Sequence, residues 1–260
     1  MVFKLNKFLV LLIYFLTSLN LLSEGTLEVK NEYKPVVNEI IEILDQNHFK
    51  KNIKINEQKV IDNFLANIDK EKIVFSSAEI NSYKSRFKNI YNLDEIFKIY
   101  QDYSDRSLEL MNYQRDVIDL IDTSADLNTT ESVEKSREDE KRFNSLDSIK
   151  NYHALLIKNE FINILLSNDN FENSKSKLLK RLKNRVKSLK RIKSDDIFSL
   201  YMNSITSLYD PHTNYLSPKS QEDFEINMSL SLEGIGAILS TEDGITKIVR
   251  LIPGGPADKS

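Results

Sequence analysis

The stretch that decides the architecture begins at residues 210–218, DPHTNYLSP, and continues at residues 228–237, MSLSLEGIGA. It follows a long segment without turn-forming glycine. No glycine lies between Gly25 and Gly234, and four of the five prolines fall at or after Pro211. Such a segment cannot easily supply the tight turns of a β-rich fold. The sequence therefore predicts a helical domain over residues 26–209 and a change of architecture near residue 210.

The residues after this change predict a small β module. The Gly-x-Gly of residues 234–236 leads into an apolar run, a Glu-Asp-Gly turn ends at Gly244, and residues 245–252, ITKIVRLI, form a second run. Residues 253–256, PGGP, then indicate a bend that enters a helix. A glycine loop of this kind can bring successive backbone N–H groups together as a nest for one carboxylate.

The turn at Asp210 allows two interpretations. A residue before proline leaves the helical region, and its carboxylate can then accept backbone N–H groups. We favour this structural interpretation, in which Asp210–Pro218 is a corner that joins two domains. The functional alternative makes Asp210 and His212 a catalytic pair, but no nucleophile is obviously paired with them.

Residues 192–260 resemble the tail-specific proteases, also called carboxy-terminal processing peptidases. Three motifs carry the resemblance: Leu200-Tyr-Met-Asn203, the Asp210–Pro218 stretch, and Met228-Ser-Leu-Ser-Leu-Glu-Gly-Ile-Gly-Ala237. The helices before them are similar in kind to the N-terminal domain of that family. The resemblance implies a mainly α N-terminal domain over residues 26–209, a linker and turn at 210–227, and a truncated PDZ-like, β-rich domain at 228–260.

The resemblance also implies a function. The family comprises periplasmic serine endopeptidases that recognise apolar C-terminal tails through the PDZ-like domain, with a serine nucleophile and a lysine general base. Both catalytic residues are expected beyond Ser260, so no residue of this chain is assigned a catalytic role and the chain alone is expected to be inactive. The expected tail-binding residues are Leu232, Gly234, Ile235, Gly236, Ala237 and Ile238. The implied partners are the tails of substrate proteins and an adaptor protein. No cofactor or metal is implied.

A second hypothesis from another class stays open. In it, the chain is a non-enzymatic exported helical protein that binds peptides or partner proteins, with the glycine loop as its site. A continuing PDZ domain and a Ser/Lys core after Ser260 would separate the two hypotheses.

The composition excludes several other classes of protein. The 260 residues contain no cysteine, which excludes a disulfide scaffold, a zinc–thiolate site and a thiol nucleophile. The three histidines, His48, His153 and His212, are far apart in sequence, which argues against a histidine-rich metal site. Because 36 basic residues are balanced by 39 acidic ones, no overall positive field favours nucleic acid.

The N-terminus has the pattern of an export signal. Lys4 and Lys7 precede an apolar run, Phe8–Leu16, and Ser23-Glu-Gly25 offers a cleavage site between small residues. We expect a signal peptide at residues 1–25, and a mature protein in the periplasm, in solution or at the inner membrane. The alternative is an uncleaved signal anchor. Contact with a membrane is expected only through this segment.

Four features of the helical domain are specific enough to test. Ser76-x-x-Glu79 is a capping box that predicts a helix over Ile80–Tyr91, and a long apolar face runs from Leu93 to Ile121. Residues 131–142 are polar and charged, which predicts a solvated loop or exposed helix. Residues 175–193 contain ten Lys or Arg and no acid, with apolar residues at helical spacing. We interpret them as a core-facing stripe with a solvated basic back. The alternative is a basic amphipathic helix that lies on anionic lipid or contacts nucleic acid.

Overall fold

The chain is described by a computed structural model that covers residues 27–51, 53–122, 131–134, 136–167, 170–228, 235–242 and 245–259. These residues divide into two compact units, and the division lies between Tyr215 and Leu216. The expected signal peptide 1–25, the loop residues Leu232 and Gly234, and the residues Asp243 and Gly244 of the predicted turn lie outside the described stretches.

The described residues are mainly helical, as predicted. The elements, in chain order, are α1 (Tyr33–Asn47), α2 (Glu57–Ile68), α3 (Ser77–Arg86), α4 (Leu93–Leu120), α5 (Leu146–Leu166), α6 (Phe171–Lys190), α7 (Ser194–Thr206), α8 (Pro218–Met228), β1 (Ala237–Glu242), β2 (Ile245–Leu251) and a short 3-10 helix (Pro256–Asp258). The segment 210–227, which the sequence suggested to be a linker and turn, includes most of α8.

Side-chain caps fix the starts of several helices. The predicted capping box is confirmed: the Ser76 hydroxyl accepts the N–H of Glu79, and the Glu79 carboxylate accepts the N–H of Ser76 at 2.8 Å. The helix it opens is shorter than predicted, because it ends at Arg86 and Ile90 enters the core from the turn that follows.

The start of α7 is fixed by Asp196. Lys193 is the cap residue, and its N–H donates to the Asp196 carboxylate at 2.8 Å. Ser194 is already helical, and its hydroxyl accepts the N–H of Glu28 at 2.9 Å. Ser194 therefore ties the segment before α1 to the start of α7.

Two hydrophobic clusters fill the N-terminal unit. The larger is built mainly from α1, α2, α3, α4 up to Leu110 and α7, with Ile149 of α5. The smaller joins the last part of α4 to α5 and α6 through Ile118, Ile157, Phe161, Ile164, Leu178 and Leu182. The long helix α4 contributes to both clusters, as does α5, which confirms the apolar face predicted along α4.

A buried carboxylate organises the loop between α2 and α3. The Asp69 side chain is 1% exposed, and its two oxygens accept the N–H groups of Ile73, Val74 and Phe75 at 3.0–3.2 Å. It also accepts a charge-assisted hydrogen bond from Arg142. These four donors satisfy the charge inside the protein, which is the condition for burying it.

The C-terminal end of the segment 131–142, which was predicted to be a solvated loop, packs on the α2–α3 loop. The Glu71 carboxylate accepts the N–H of Arg137 at 2.6 Å, and the Lys72 Nζ donates to the Glu140 carbonyl at 2.9 Å. The N–H of Ser77 donates to the Phe143 carbonyl at 2.9 Å. The prediction of a solvated loop is confirmed, because residues 138–141 are exposed and not helical; backbone partners and a buried acid hold the two ends of this segment, Arg137 and Arg142.

His153 on α5 links the same loop to the smaller cluster. The ring is buried, its Nε2 lies 3.0 Å from the Ile73 carbonyl, and its Nδ1 lies 2.8 Å from the Gln114 amide nitrogen. A carbonyl only accepts, so Nε2 carries the proton and Nδ1 accepts from Gln114. This is the neutral form of the ring. Burial lowers the pKa of His153 from its ordinary value.

The C-terminal unit is a helix and a two-stranded sheet. β1 and β2 pair antiparallel from Ala237 opposite Leu251 to Glu242 opposite Ile245, with a bulge after Ile238. No side chain of this unit is buried among those the structure describes. The β1–β2 hairpin thus has an ordered backbone without a core of its own. Its PDZ-like nature and the position of the protease core stay predictions.

We predict that Asp69→Ala destabilises the protein by about 3–5 kcal/mol, because it leaves Arg142 and three backbone N–H groups without their buried acceptor. Urea unfolding followed by circular dichroism measures this. Asp62→Ala is the matched control. Asp62 pairs with Lys84 at 2.7 Å on the surface, and loss of an exposed pair costs less than about 1 kcal/mol. Equal effects of the two substitutions would contradict the assigned role of Asp69.

We also predict that stability decreases as the pH is lowered below about 7, because of His153. Its pKa is lower in the folded protein than the ordinary 6.5, so the unfolded chain binds more protons as the pH drops below that value. The free energy of unfolding should therefore decrease from about pH 7 towards pH 5, and His153→Gln should flatten this slope. His212→Gln, at an exposed ring, should leave it unchanged. A slope that survives His153→Gln in full would rule the assignment out.

Candidate functional site

The corner at residue 210 is a structural turn. The Asp210 carboxylate accepts the backbone N–H of His212 at 2.9 Å, and the N–H of Thr213 donates to the Asp210 carbonyl at 3.0 Å. The carboxylate thus bonds to the backbone of His212, and the His212 side chain is exposed. This is the predicted Asx-type turn, so the geometry favours the structural interpretation over the catalytic pair.

The Leu200–Asn203 motif holds this corner against α7. The Asn203 side chain accepts the N–H of Tyr215 at 2.7 Å and donates to the Tyr215 carbonyl at 3.2 Å. The Tyr215 ring packs edge-on against Phe198 at 5.7 Å between centroids. One amide therefore satisfies both backbone groups of Tyr215, which gives the motif a physical role: it fixes the course of the chain as it leaves the helices.

The predicted tail-binding loop is described from Ile235 onward. Ile235, Gly236, Ala237 and Ile238 form the entry to β1. The Ile235 carbonyl accepts the N–H of Ala257 at 2.9 Å, and the Gly236 carbonyl accepts the N–H of Ile252 at 2.8 Å. These bonds tie the loop to the bend that follows β2.

Glycine is required at residue 236 for two reasons. Its φ of +73° lies in the left-handed region that side chains other than glycine rarely adopt. A Cβ there would lie 2.8 Å from Pro256 Cδ and 3.0 Å from Gly255 Cα. The two glycines therefore let the loop and the bend touch backbone to backbone.

The loop at Ile235 and Gly236 leaves backbone N–H groups available as hydrogen-bond donors within the described residues. The carbonyls of Ile235 and Gly236 are used, whereas their N–H groups have no hydrogen-bond partner within the described residues. The Ile235 side chain beside them is 58% exposed. Free N–H groups next to an exposed apolar side chain have the chemistry that a carboxylate at the end of an apolar tail needs. The assignment of Ile235, Gly236 and Ala237 as donors stays a prediction.

The strand that follows offers an edge. Within the described residues β1 pairs with β2 alone, so its other side has unpaired backbone groups. Ile238 and Leu239 on this strand are exposed. An extended peptide can add to such an edge through main-chain hydrogen bonds.

The N-terminal unit contains a cavity that sequence analysis did not identify. It has a volume of about 610 Å³ and is lined by residues that include Tyr103, Ser107, Met111, Gln114, His153 and Leu156. Ser107 in this lining is buried. These residues come from α4 and α5 and form no motif, so no local sequence signal could have found the cavity.

The described stretches contain neither a cluster of metal-ligating side chains nor a helix able to cross a membrane. They hold no group of three or more His, Cys, Asp or Glu side chains arranged for a metal ion. None of their helices is both long and apolar enough to cross a membrane.

Comparison with known proteins gives a consistent result. The family model "Tail specific protease N-terminal domain" matches residues 40–219. A tail-specific protease of Haemophilus influenzae is 31% identical over 227 residues, which cover 84% of this chain and 32% of that protein. The carboxy-terminal processing protease CtpA of Bacillus subtilis is 41% identical over 56 residues, 22% of this chain and 12% of that protein.

The chain spans about a third of the length of the first of these relatives and a smaller part of the second. The range matched by the family model includes Asn203 and the corner that it holds, together with the buried Asp69 and the helices of both clusters. Because that range is well over half of the sequence, the chain belongs to the tail-specific protease family and represents an N-terminal portion of such a protease.

Proposed function

We propose that this chain is the N-terminal part of a periplasmic serine endopeptidase that captures the apolar C-terminal tails of its substrates. The observation that carries the proposal is the loop at Gly236, whose neighbouring N–H groups are unpartnered in the described residues and lead directly into an unpaired strand edge. Family membership supports the protease assignment.

Backbone donors suit this task because every unmodified protein ends in the same anion. In the proposed complex the N–H groups of Ile235, Gly236 and Ala237 donate to the carboxylate. The last side chain of the tail contacts Ile235, which is exposed and apolar. The tail then extends along β1 from Ala237 to Leu239 by strand addition. Leu232 and Gly234 complete the loop in this proposal.

We assign the chemistry to sequence after Ser260. A lysine acts as general base only if its pKa is lowered towards neutrality, for instance by burial. The lysines Lys30 and Lys70 have their pKa shifted in the opposite direction, since the hydrogen bonds that they donate to Asp195 and Glu138 respectively raise it. Both are structural surface partners. We assign the proposed Ser/Lys dyad to the protease core that the family resemblance implies, with the described units serving recognition and support.

The first prediction of this proposal concerns tail capture. The chain extended by its protease core should bind a fluorescent peptide with an apolar C-terminus, and amidation of that terminus should weaken binding by at least about tenfold, because charge-assisted hydrogen bonds are lost. Gly236→Val should weaken the binding of this peptide more than it changes the cleavage of model substrates that lack an apolar C-terminal tail. Fluorescence anisotropy and peptide hydrolysis measure the two effects separately.

Gly254→Val is the matched control for this experiment. Gly254 also has a positive φ, of +79°, but a Cβ at Gly254 meets no atom within 4 Å. Both variants share the backbone strain, and only Gly236→Val disturbs the loop. Equal loss of peptide binding in the two variants would contradict the assigned site. The 260-residue chain alone should hydrolyse nothing, so cleavage by it would place a catalytic group within these residues.

The second prediction concerns export. Residues 1–25 should direct secretion and be removed after Gly25, because a basic start, an apolar run and small residues are the features that signal peptidase machinery recognises. N-terminal sequencing of the protein from the periplasm should then begin at Thr26. A mature protein that keeps Lys4 and Lys7 would instead indicate an uncleaved anchor.

A further inference from the structure

The cavity beside α4 and α5 has an apolar interior that can be reached from solvent. Its volume of about 610 Å³ lies in the range of sites that hold a small organic molecule. Four of its lining side chains belong to the buried core: Ile68, Val74, Leu110 and Ile157. The lining also includes the exposed residues Asn159 and Arg185. A ligand can therefore enter without unfolding of the helices.

One polar side chain of the lining has unused hydrogen-bonding capacity. Gln114 is 6% exposed, and its amide nitrogen donates to Nδ1 of His153 at 2.8 Å. Its side-chain oxygen has no hydrogen-bond partner among the described residues. An amide oxygen only accepts, and a polar atom held away from bulk water gains from a donor. Gln114 therefore favours a ligand that brings a hydroxyl or an amide N–H group.

The charged side chains of the lining already have partners. Glu160 and Arg185 pair with each other at 2.9 Å, and Lys70 pairs with Glu138 at 3.1 Å. The two other acids of the lining accept backbone N–H groups: Asp69 and Glu71. A charged ligand would lose water here without meeting an unpaired counter-charge, which is unfavourable. The cavity therefore suits an uncharged molecule.

A second hollow continues this space along α4. It lies between α4 and α6, shares Tyr103 and Met111 with the cavity, and is lined on the α6 side by Leu189. The α4 residues that line the two spaces extend from Tyr100 to Gln114, which corresponds to about 21 Å along the helix. An elongated ligand fits this shape better than a compact one.

We propose that the cavity binds an uncharged, elongated amphiphile: a molecule with an apolar chain and a hydroxyl or amide N–H group at one end. The polar end donates to the side-chain oxygen of Gln114, and the chain runs past Met111 into the second hollow. Burial of the chain supplies most of the binding free energy, and the hydrogen bond fixes the orientation. Long-chain alcohols are the simplest members of this class.

An extended peptide fits the cavity less well than such an amphiphile. Each residue of a peptide brings a backbone N–H and a C=O group, and both need partners when they leave water. Lining side chains such as Leu110, Met111 and Leu156 cannot supply these partners. The lining thus favours a ligand whose polar atoms are confined to one end.

Displacement of a fluorescent dye from the purified chain tests the proposal. Phenylnaphthylamine is uncharged and apolar, has one N–H donor, and emits more strongly in apolar surroundings, so it should bind. Decanol should displace it at a concentration about 15-fold lower than octanol does, because each buried methylene strengthens binding by about fourfold. Methyl nonyl ether, an isomer of decanol without the O–H donor, should bind about tenfold more weakly than decanol. The anion decanoate should also bind more weakly.

Leu156→Trp is the variant that locates the site. Leu156 is a partly exposed residue of the lining, and an indole there should weaken decanol binding by at least about tenfold because it fills the space of the ligand. Leu155→Trp is the matched control. Leu155 is the neighbouring residue of α5, is also partly exposed and does not line the cavity, so decanol binding should be unchanged.

The difference between these two variants isolates the cavity, because binding to any other apolar surface is common to both. Thermal melting by circular dichroism should show both variants folded. Equal decanol binding by the two variants would overturn the proposal. So would equal binding of decanol and its isomeric ether, or of decanol and decanoate, to the unaltered chain. These ligand comparisons need no variant, so they decide the question even if Leu156→Trp fails to fold.

Discussion

The buried charge of Asp69 is the constraint on which the N-terminal unit depends. Its carboxylate is 1% exposed, so the chain must bring three backbone N–H groups and Arg142 to it. Meeting this requirement shapes the α2–α3 loop. It places the Ile73 carbonyl where His153 can donate to it, and it holds residues 137–142 on the loop. One acid thus connects three segments that are distant in sequence.

The same constraint explains which parts of the fold the sequence could predict. Helices with a local signal were found: the capping box at Ser76 and the apolar face of α4 depend on neighbours within one or two turns. The pair Asp69–Arg142 is separated by 73 residues, and neither residue stands in a recognisable pattern. The sequence of residues 131–142 alone suggested a solvated loop, because a run of charged residues is usually exposed to solvent. It gave no sign of the contact that Arg142 makes with Asp69.

The same distinction between local signals and contacts over long sequence separations applies to the candidate site. The turn at Asp210 and the strands after Gly236 were predictable, since proline and glycine constrain their own backbone. The contact between Gly236 and Gly255 was not, because it depends on the hairpin bringing two residues together that are nineteen apart in the chain. The role of Asn203 as the anchor of Tyr215 is likewise a tertiary fact that its motif alone does not express.

The two units differ in how they are stabilised, and this bears on the proposed capture of tails. The helical unit has two buried clusters, whereas the hairpin exposes Ile248 and Val249 at 63% each and keeps its shape through backbone hydrogen bonds and the approach of two glycines. An isolated two-stranded hairpin is marginally stable. A tail that adds a third strand to β1 supplies main-chain hydrogen bonds and covers apolar surface. Because a ligand that binds only the folded form stabilises it, capture of the tail and ordering of the hairpin would be thermodynamically linked.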